Sequence, residues 1–277
     1  MRRRFFTDKF ENGTAFLRGE AAHHLARVLR AEPGQVYELS DGTRVRLARI
    51  VRVARDEVEF ELEDPPPDSA SAEIAPGELS PGESSRLECT LLLSVVKFDR
   101  FEWALEKATE LGVSTIVPLS AARSEKALVA AAAKRAARWQ KILLESAQQA
   151  RRLRPPALKA ISSPLGAFHQ AGLQRDAHEN VQQAVAPGIL SPARILLSER
   201  RDALPLRVVL SKLVSAFSLE APCEAVLAIG PEGGWTGEEF AMAAVAGFAE
   251  ASLGHTILRT ETAVTAALAS INYALGD

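Results

Sequence analysis

The sequence predicts an α/β protein of two domains, a small antiparallel β-barrel followed by a larger domain built on a parallel sheet. Three patterns support this fold class. Apolar and acidic residues alternate from Glu57 to Glu63, which is typical of a half-buried antiparallel strand. A stretch rich in Pro, Ser and Gly follows at 65–85. Beyond it, strand-like and helical patterns alternate, as expected for parallel βαβ units.

The predicted N-terminal domain covers residues 1–64. Val45 and Leu47 alternate with arginines directly after an Asp-Gly turn signal, and this predicts another strand with one polar face. Residues 23–30, HHLARVLR, predict a short helix that presents its basic residues together. Residues 65–85 contain few large apolar side chains and cannot bury enough surface to order themselves. We interpret them as a flexible linker.

The predicted C-terminal domain covers residues 86–277. Residues 87–96 have the length and apolar content of a buried strand, and the helical spacing after them ends at Gly112, the expected C′ position. Thr236 as N-cap and Glu239 three residues later form a capping box, which predicts another helix start. The further predicted elements are a long helix at 134–151, a variable loop at 174–193, strands at 194–199 and 225–230, a helix end near Gly247 and a terminal apolar helix.

Composition limits the class of protein. The 277 residues are 47% hydrophobic and 25% charged, which is ordinary for a globular protein with a sizeable core. The net charge of −2 gives no global signature of nucleic-acid binding, so any RNA contact would depend on local patches. Cys89 and Cys223 are the only cysteines. Two distant cysteines exclude a Cys-rich zinc site, so we expect no metal, and they favour a reducing compartment.

The basic N-terminus has no apolar stretch behind it, and it therefore does not resemble a secretory signal. No apolar run approaches the roughly 20 residues needed to span a bilayer. We therefore expect a cytoplasmic protein without a membrane partner.

Two motifs are candidates for chemistry. GPEGG, at 230–234, follows a predicted buried strand, where open α/β sheets bind ligands and glycines let backbone amides approach them. Its spacing fits neither the dinucleotide fingerprint nor the Walker A pattern, and a tight turn is the alternative interpretation. LGHTILRTETA, at 253–263, places Arg259 and Glu261 where a loop enters the last helix. In the structural alternative, Thr260 caps this helix and the arginine is a surface residue.

Six segments, in order along the chain, resemble the ribosomal RNA small subunit methyltransferase E family. They are RRFF near the N-terminus, HHLARVLR, KFDRFEWALEKATELGV from Lys97, ESAQQARR from Glu145, IGPEGGWTGEE and SLGHTILRTETA. The resemblance covers nearly the whole chain outside 65–85 and 174–193. Members of this family are SPOUT enzymes that use S-adenosylmethionine to methylate N3 of uridine 1498 in 16S ribosomal RNA, and the resemblance implies the same activity here.

The resemblance also implies a PUA-like RNA-binding β-barrel and a SPOUT domain with a deep trefoil knot, which no periodicity indicates. The implied partners are 16S ribosomal RNA, or the small ribosomal subunit, and a second copy of the chain in a homodimer. S-adenosylmethionine would lie in a cleft formed by three loops. Carried over by position, its binding residues are Leu197, Ser198, Glu199, Gly230, Pro231, Glu232, Gly233, Gly234, Leu253, Gly254, Ile257, Leu258 and Arg259.

Arg259 is the catalytic hypothesis. Uridine N3 carries a proton at neutral pH, and a cation near the uridine carbonyl oxygens would stabilise the anion that its removal creates. Glu261 is the second candidate, either to orient Arg259 or to accept the proton. The basic run from 134 to 154 is for the most part typical of a solvated helix face. The RNA-binding candidates match basic or polar positions of the family: Arg4, His24, Arg27, Arg30, Lys97, Arg100, Arg123 and Arg152.

Some positions depart from the family. Trp235 stands where Phe is usual, and His255 and Thr256 stand where Pro and Arg are common, so an RNA or dimer contact made by that Arg is not carried over. Three alternatives stay open: a SPOUT methyltransferase with another RNA target, a non-catalytic RNA-binding protein and a Rossmann oxidoreductase. The HHLARVLR segment disfavours tRNA enzymes, the intact loops disfavour a non-catalytic protein, and the missing fingerprint disfavours the oxidoreductase.

Overall fold

Two compact units make up the chain in this computed structural model, which describes residues 4–63, 87–179, 193–216 and 223–276. One unit comprises Met1–Ser84 together with Ala147–Pro155, and the other comprises Ser85–Ser146 together with Pro156–Asp277. The predicted linker at 65–85 lies outside the described residues. No sequence pattern indicated that a segment near residue 150 belongs with the N-terminal unit.

The N-terminal unit is a curled five-stranded sheet. Its strands are β1 (Arg4–Phe6), β2 (Thr14–Arg18), β3 (Val36–Ser40), β4 (Val45–Val53) and β5 (Glu57–Leu62). They lie in the order β1-β3-β4-β5-β2, and every pair except parallel β1 and β3 is antiparallel. The Thr7 hydroxyl, just after β1, donates to the Phe16 carbonyl oxygen in β2 at 2.9 Å, which joins the two edges of the sheet. The predicted antiparallel strands are confirmed.

The alternation in β4 is one residue out of phase with the prediction. Ala48 and Ile50 are buried, whereas Val45 and Leu47 are only half-buried. Apolar side chains occur at both odd- and even-numbered positions of this strand, so the pattern alone did not decide which set faces the core. The predicted helix at 23–30 is confirmed as helical and begins earlier, as α1 (Gly19–His23) followed by a π-helical turn at His24–Val28.

The C-terminal unit is an α/β domain in which all strand pairs are parallel. Its strands, in the spatial order β10-β12-β9-β11-β6-β7-β8, are β6 (Leu87–Ser94), β7 (Thr115–Leu119), β8 (Ala157–Leu158), β9 (Ala193–Leu197), β10 (Leu204–Pro205), β11 (Cys223–Ile229) and β12 (Ala249–Ser252). Its helices are α2 (Phe98–Glu110), α3 (Lys126–Gln149), α4 (Pro164–Glu179), α5 (Leu206–Ala216), α6 (Gly237–Val245) and α7 (Thr260–Leu275). The predicted fold class is confirmed, and the trefoil knot stays a prediction.

Helices cover both faces of the parallel sheet. Successive side chains of a strand point to opposite faces, so one strand contributes apolar residues to the helix contacts on each face. Leu91 and Leu93 of β6 belong to one buried cluster, which includes side chains of α2, α3, α5 and α7. Leu92 belongs to a second cluster with side chains of α4 and α6. This burial on both faces explains why β6 and β11 are nearly continuous apolar runs in the sequence.

Several element boundaries differ from the predicted ones. The long helix α3 begins eight residues before 134 because 126–133 is rich in alanine, a strong helix former. The predicted loop at 174–193 is wrong for 174–179, which continue α4, and its remainder up to 192 lies outside the described residues. Gly112 and Gly247 adopt positive φ of 87° and 81° just past α2 and α6, as expected for C′ glycines. None of the described helices is long and apolar enough to cross a membrane.

Candidate functional site

Three loops of the C-terminal unit lie side by side at one edge of the sheet. They follow the neighbouring strands β9, β11 and β12, and parallel strands bring their carboxyl ends to the same edge. Together these loops enclose a cavity of about 460 Å³. This volume falls in the usual range of small-molecule pockets.

All thirteen residues that the resemblance implied for cofactor binding line this cavity. The structure brings all of them to one cavity, and their roles in cofactor binding stay a prediction. The lining also includes ten residues outside that set: Arg100, Arg123, Arg200, Ile229, Trp235, Phe240, His255, Thr256, Thr260 and Ala263. Phe240 and Ala263 lie in the first turns of α6 and α7, and helical spacing from the two helix starts is the signal that would have found them.

The GPEGG loop is held in a tight turn. Gly234 has a positive φ of 69°, and its N–H donates to the Pro231 carbonyl oxygen at 2.8 Å. This backbone conformation favours glycine. The Arg123 guanidinium donates to the Gly233 carbonyl oxygen at 2.8 Å, so this residue, predicted to bind RNA, supports the loop. GPEGG therefore forms a tight turn and also lines the cavity, so the two interpretations are compatible.

The exit of the GPEGG loop is fixed by the predicted capping box, which is confirmed. The Thr236 hydroxyl accepts from the Glu239 N–H at 3.2 Å, and one carboxylate oxygen of Glu239 accepts from the Thr236 N–H at 2.8 Å. The other carboxylate oxygen accepts from the Ala122 N–H at 2.8 Å. Glu239 is buried, with 3% of its surface exposed, so a single carboxylate joins the helix start to a separate segment.

Arg259 occupies the N-cap position of α7, and Thr260 is the first residue of the helix. The structural alternative that made Thr260 the cap is therefore wrong by one residue, and Thr260 is buried instead. The side chain of Arg259 is exposed at the cavity. It makes no ion pair with any residue in the described ranges, which leaves a guanidinium available to a ligand.

Glu261 is not among the cavity-lining residues. Its nearest charged partner is Arg100, with 3.9 Å between Oε1 and the guanidinium Nε, and its other oxygen is buried without a hydrogen bond in the described part of the chain. Arg100 also forms an ion pair with Glu232 of the GPEGG loop. Glu261 is thus positioned to orient Arg100, and no ion pair links it to Arg259.

The RNA-binding candidates divide into two groups. His24, Arg27, Arg30 and Lys97 are exposed. The other four are engaged: Arg100 and Arg123 at the cavity as described above, and Arg4 with Glu38 at 3.0 Å. Burial lowers the pKa of the fourth, Arg152, to about 10, with a smaller contribution from Arg154. Arg123 is exposed as well, but its guanidinium donates to the GPEGG loop, so the first group is better placed to contact phosphates.

Much of the basic run at 134–154 is neutralised within the protein. Arg135 and Arg138 both pair with Glu102, the latter at 2.8 Å, and the ring of Phe98 lies 4.6 Å from the Arg135 guanidinium carbon. Arg151 pairs with Glu38. The prediction of a solvated helix face did not include these ion pairs, and Arg151 lies beyond the end of α3.

A parallel α/β domain with a small-molecule cavity at its carboxyl edge, in one chain with a small curled sheet, defines a two-domain α/β protein with a ligand site. The chain matches the family described as "RNA methyltransferase domain" over residues 83–272 and that described as "RNA methyltransferase PUA domain" over residues 17–63. It belongs to the RNA methyltransferase family and, within it, to the ribosomal RNA small subunit methyltransferase E proteins.

Three comparisons illustrate this membership. The Mycobacterium tuberculosis ribosomal RNA small subunit methyltransferase E is 30% identical over 271 residues, covering 96% of this chain and 90% of that protein. The Synechocystis protein of the same name is 35% identical over 186 residues, covering 67% of this chain and 53% of its own length. The crystal structure of the Neisseria gonorrhoeae protein of that name, bound to S-adenosyl methionine, has a TM-score of 0.74 at 29% identity, covering 100% of this chain and 99% of that one.

Proposed function

We propose that this chain transfers the methyl group of S-adenosylmethionine to N3 of a uridine in 16S ribosomal RNA, at position 1498. The observation that carries the proposal is the single cavity lined by all thirteen residues of the three implied cofactor loops. The family membership and the cofactor in the Neisseria gonorrhoeae relative support the choice of ligand.

The residues of the cavity fit such a ligand. Its volume of about 460 Å³ suits a nucleoside-sized molecule. A Cβ at Gly230 would lie 3.1 Å from the Trp235 ring, so the glycine lets this ring pack directly against the GPEGG backbone. When bound, S-adenosylmethionine supplies the reactive methyl group. The protein's own contribution is to align the reacting groups and to stabilise charge.

Arg259 is the catalytic residue in this proposal. Its exposed guanidinium at the cavity would stabilise the negative charge that develops on uridine O2 or O4 as the N3 proton leaves. Glu261 points to Arg100 instead of the cavity, so we assign it an orienting role rather than that of proton acceptor.

The substrate would be positioned by local positive charge. His24, Arg27 and Arg30 are exposed around the π-helical turn of the N-terminal unit, and Lys97 is exposed at the start of α2. Such cations bind phosphates and give a salt-dependent affinity. Arg27→Ala should weaken RNA binding in a filter assay, whereas Arg55→Ala, an exposed arginine elsewhere on the same unit, should not.

The proposal extends to a cytoplasmic homodimer with a trefoil-knotted C-terminal domain. Ile257 is 79% exposed beside the cavity and Tyr273 is 95% exposed on α7, which supports a subunit contact of the C-terminal segment. Light scattering should report twice the chain mass, and Tyr273→Asp should favour the monomer. The low cysteine content, with Cys89 and Cys223 alone in 277 residues, supports a reducing compartment.

The central test uses small ribosomal subunits from cells that lack the N3-methyluridine modification. They are incubated with the protein and labelled S-adenosylmethionine, and the modified base is mapped by primer extension. A single stop at uridine 1498 is expected. Label at another base would keep the methyltransferase and refute the target, and absence of both label and cofactor binding would leave an RNA-binding protein.

The variant Arg259→Ala tests the catalytic assignment. With cofactor and subunits saturating, its single-turnover rate should fall by about 100-fold or more, as for loss of a donor to a developing oxyanion. Arg207→Ala is the matched control, because Arg207 is an exposed arginine of the same unit outside the cavity. An unchanged rate in Arg259→Ala would show that the assignment is wrong.

A further inference from the structure

Trp235 joins two loops of the cavity through a buried hydrogen bond. Its indole Nε1–H donates to the Leu197 carbonyl oxygen at 3.0 Å. Trp235 is 5% exposed and Leu197 is 8% exposed, and both line the cavity. Leu197 ends β9 and Trp235 directly follows GPEGG, so the bond connects the end of β9 to the loop after its neighbour β11.

Both partners of this bond are themselves held. The N–H of Ser198, next to Leu197, donates to the Ala251 carbonyl oxygen of β12 at 2.9 Å. On the other side, the Arg123 guanidinium donates to the Trp235 carbonyl oxygen at 3.2 Å. The indole bond therefore closes a chain of contacts that runs across the carboxyl ends of β12, β9 and β11.

The hydrogen-bond donor can be separated from the bulk of the ring. Trp235 packs against Phe168 with ring centroids 5.8 Å apart and also covers Gly230. A phenylalanine at this position keeps an aromatic ring against these neighbours but has no N–H group. Loss of the donor would release the Leu197 carbonyl oxygen from the GPEGG side while most of the packing remains.

We propose that Trp235 is a positioning residue whose indole N–H fixes the Leu197–Glu199 loop against GPEGG, so that the cavity has its binding shape before the ligand enters. The proposal rests on the proposed function, because the ligand it positions for is S-adenosylmethionine. A preformed cavity binds more tightly since less ordering accompanies binding.

The hydrogen bond is tested first, in the unaltered full-length protein. The chain has three tryptophans, and they differ in environment: Trp103 is 42% exposed and Trp139 Nε1 is buried without a partner in the described part of the chain. In ¹⁵N-resolved NMR spectra, the assigned indole proton of Trp235 should exchange with D₂O far more slowly than that of Trp103. If the indole proton of Trp235 exchanged as fast as that of Trp103, the proposal would be overturned regardless of the results with the variants.

Cofactor affinity is tested by calorimetry with S-adenosylmethionine and full-length protein, well below the unfolding temperature. Trp235→Phe should raise Kd about three- to tenfold, the usual effect of losing one net hydrogen bond. Phe168→Leu is the matched control, because it loosens the packing around the same ring and leaves the donor in place. It should lower the unfolding temperature and change Kd less than about twofold.

Each possible outcome either supports or overturns the positioning role of Trp235. An unchanged Kd in Trp235→Phe, or an equal rise in Phe168→Leu, would overturn the positioning role while leaving the proposed function intact. Failure of the unaltered protein to bind S-adenosylmethionine would refute the proposed function and this role with it. A raised Kd in Trp235→Phe alone, together with slow indole exchange, would support the proposal.

Discussion

Glu239 offers a sharp test of how the GPEGG loop is held. Its carboxylate is buried and accepts one backbone N–H on each oxygen, from Thr236 and from Ala122, both at 2.8 Å. In Glu239→Gln one of these oxygens becomes an NH₂ group, which is a donor. One backbone N–H then faces another donor in a buried site, and the other loses a charged acceptor.

The expected loss follows from these two changes. A hydrogen bond to a charged group contributes about 1.5–3 kcal/mol, so removing one and weakening the other should cost about 2–4 kcal/mol of unfolding free energy. Glu238→Gln provides the matched control, because it makes the same charge change at an exposed position in the same helical turn. There only the interaction with the helix dipole is lost, about 0.3–1 kcal/mol.

Equilibrium urea denaturation followed by tryptophan fluorescence measures the difference. All three tryptophans, at positions 103, 139 and 235, belong to the C-terminal unit, so the signal reports the unfolding of that unit. At equal m values the midpoint of Glu239→Gln should lie well below that of Glu238→Gln. Equal midpoints for the two variants would refute the bridging role of this carboxylate.

Three further predictions follow from described contacts. Gly230→Ala places a Cβ 3.1 Å from an indole ring and should weaken S-adenosylmethionine binding in calorimetry, whereas Gly237→Ala, with open space around it, should not. Burial raises the pKa of the Cys89 thiol to about 12, and Cys223 is buried too, so neither should react with a thiol reagent at pH 8 until urea exposes both. Glu38→Ala removes the buried carboxylate that Arg4 and Arg151 share. It should lower the unfolding free energy of the N-terminal unit by about 3–5 kcal/mol, measured by thermal unfolding.

The sequence predicted the fold class and the cavity because both depend on local patterns and family motifs. Strand ends, the capping box at Thr236 and the C′ glycines are encoded within a few residues of one another. GPEGG and the residues from Leu253 to Arg259 follow β11 and β12, which pair with opposite edges of β9, and parallel pairing brings such loops together. The caps and turns needed no knowledge of distant contacts, whereas the grouping of the three cofactor loops came from the family resemblance.

The features that the sequence did not indicate depend on long-range contacts. Arg135 and Arg138 lie in a charge run, but nothing local indicates that Glu102, more than thirty residues earlier, neutralises them. Trp235 stands where the family usually has Phe, and nothing local indicates that its indole N–H donates to the Leu197 carbonyl oxygen, 38 residues earlier. Charge and residue type alone do not identify a partner that only the tertiary structure brings close.

The N-terminal unit is discontinuous along the chain, and this has a consequence for its synthesis. Glu38 pairs with Arg151, and the Ser40 hydroxyl donates to the Leu153 carbonyl oxygen at 2.5 Å. A ribosome that has released the first 84 residues has therefore not yet supplied every segment of this unit. About seventy more residues must be synthesised before Arg151 can join Arg4 in pairing with the buried Glu38 carboxylate. A fragment cut at residue 84 should accordingly be less stable than the same residues within the whole chain.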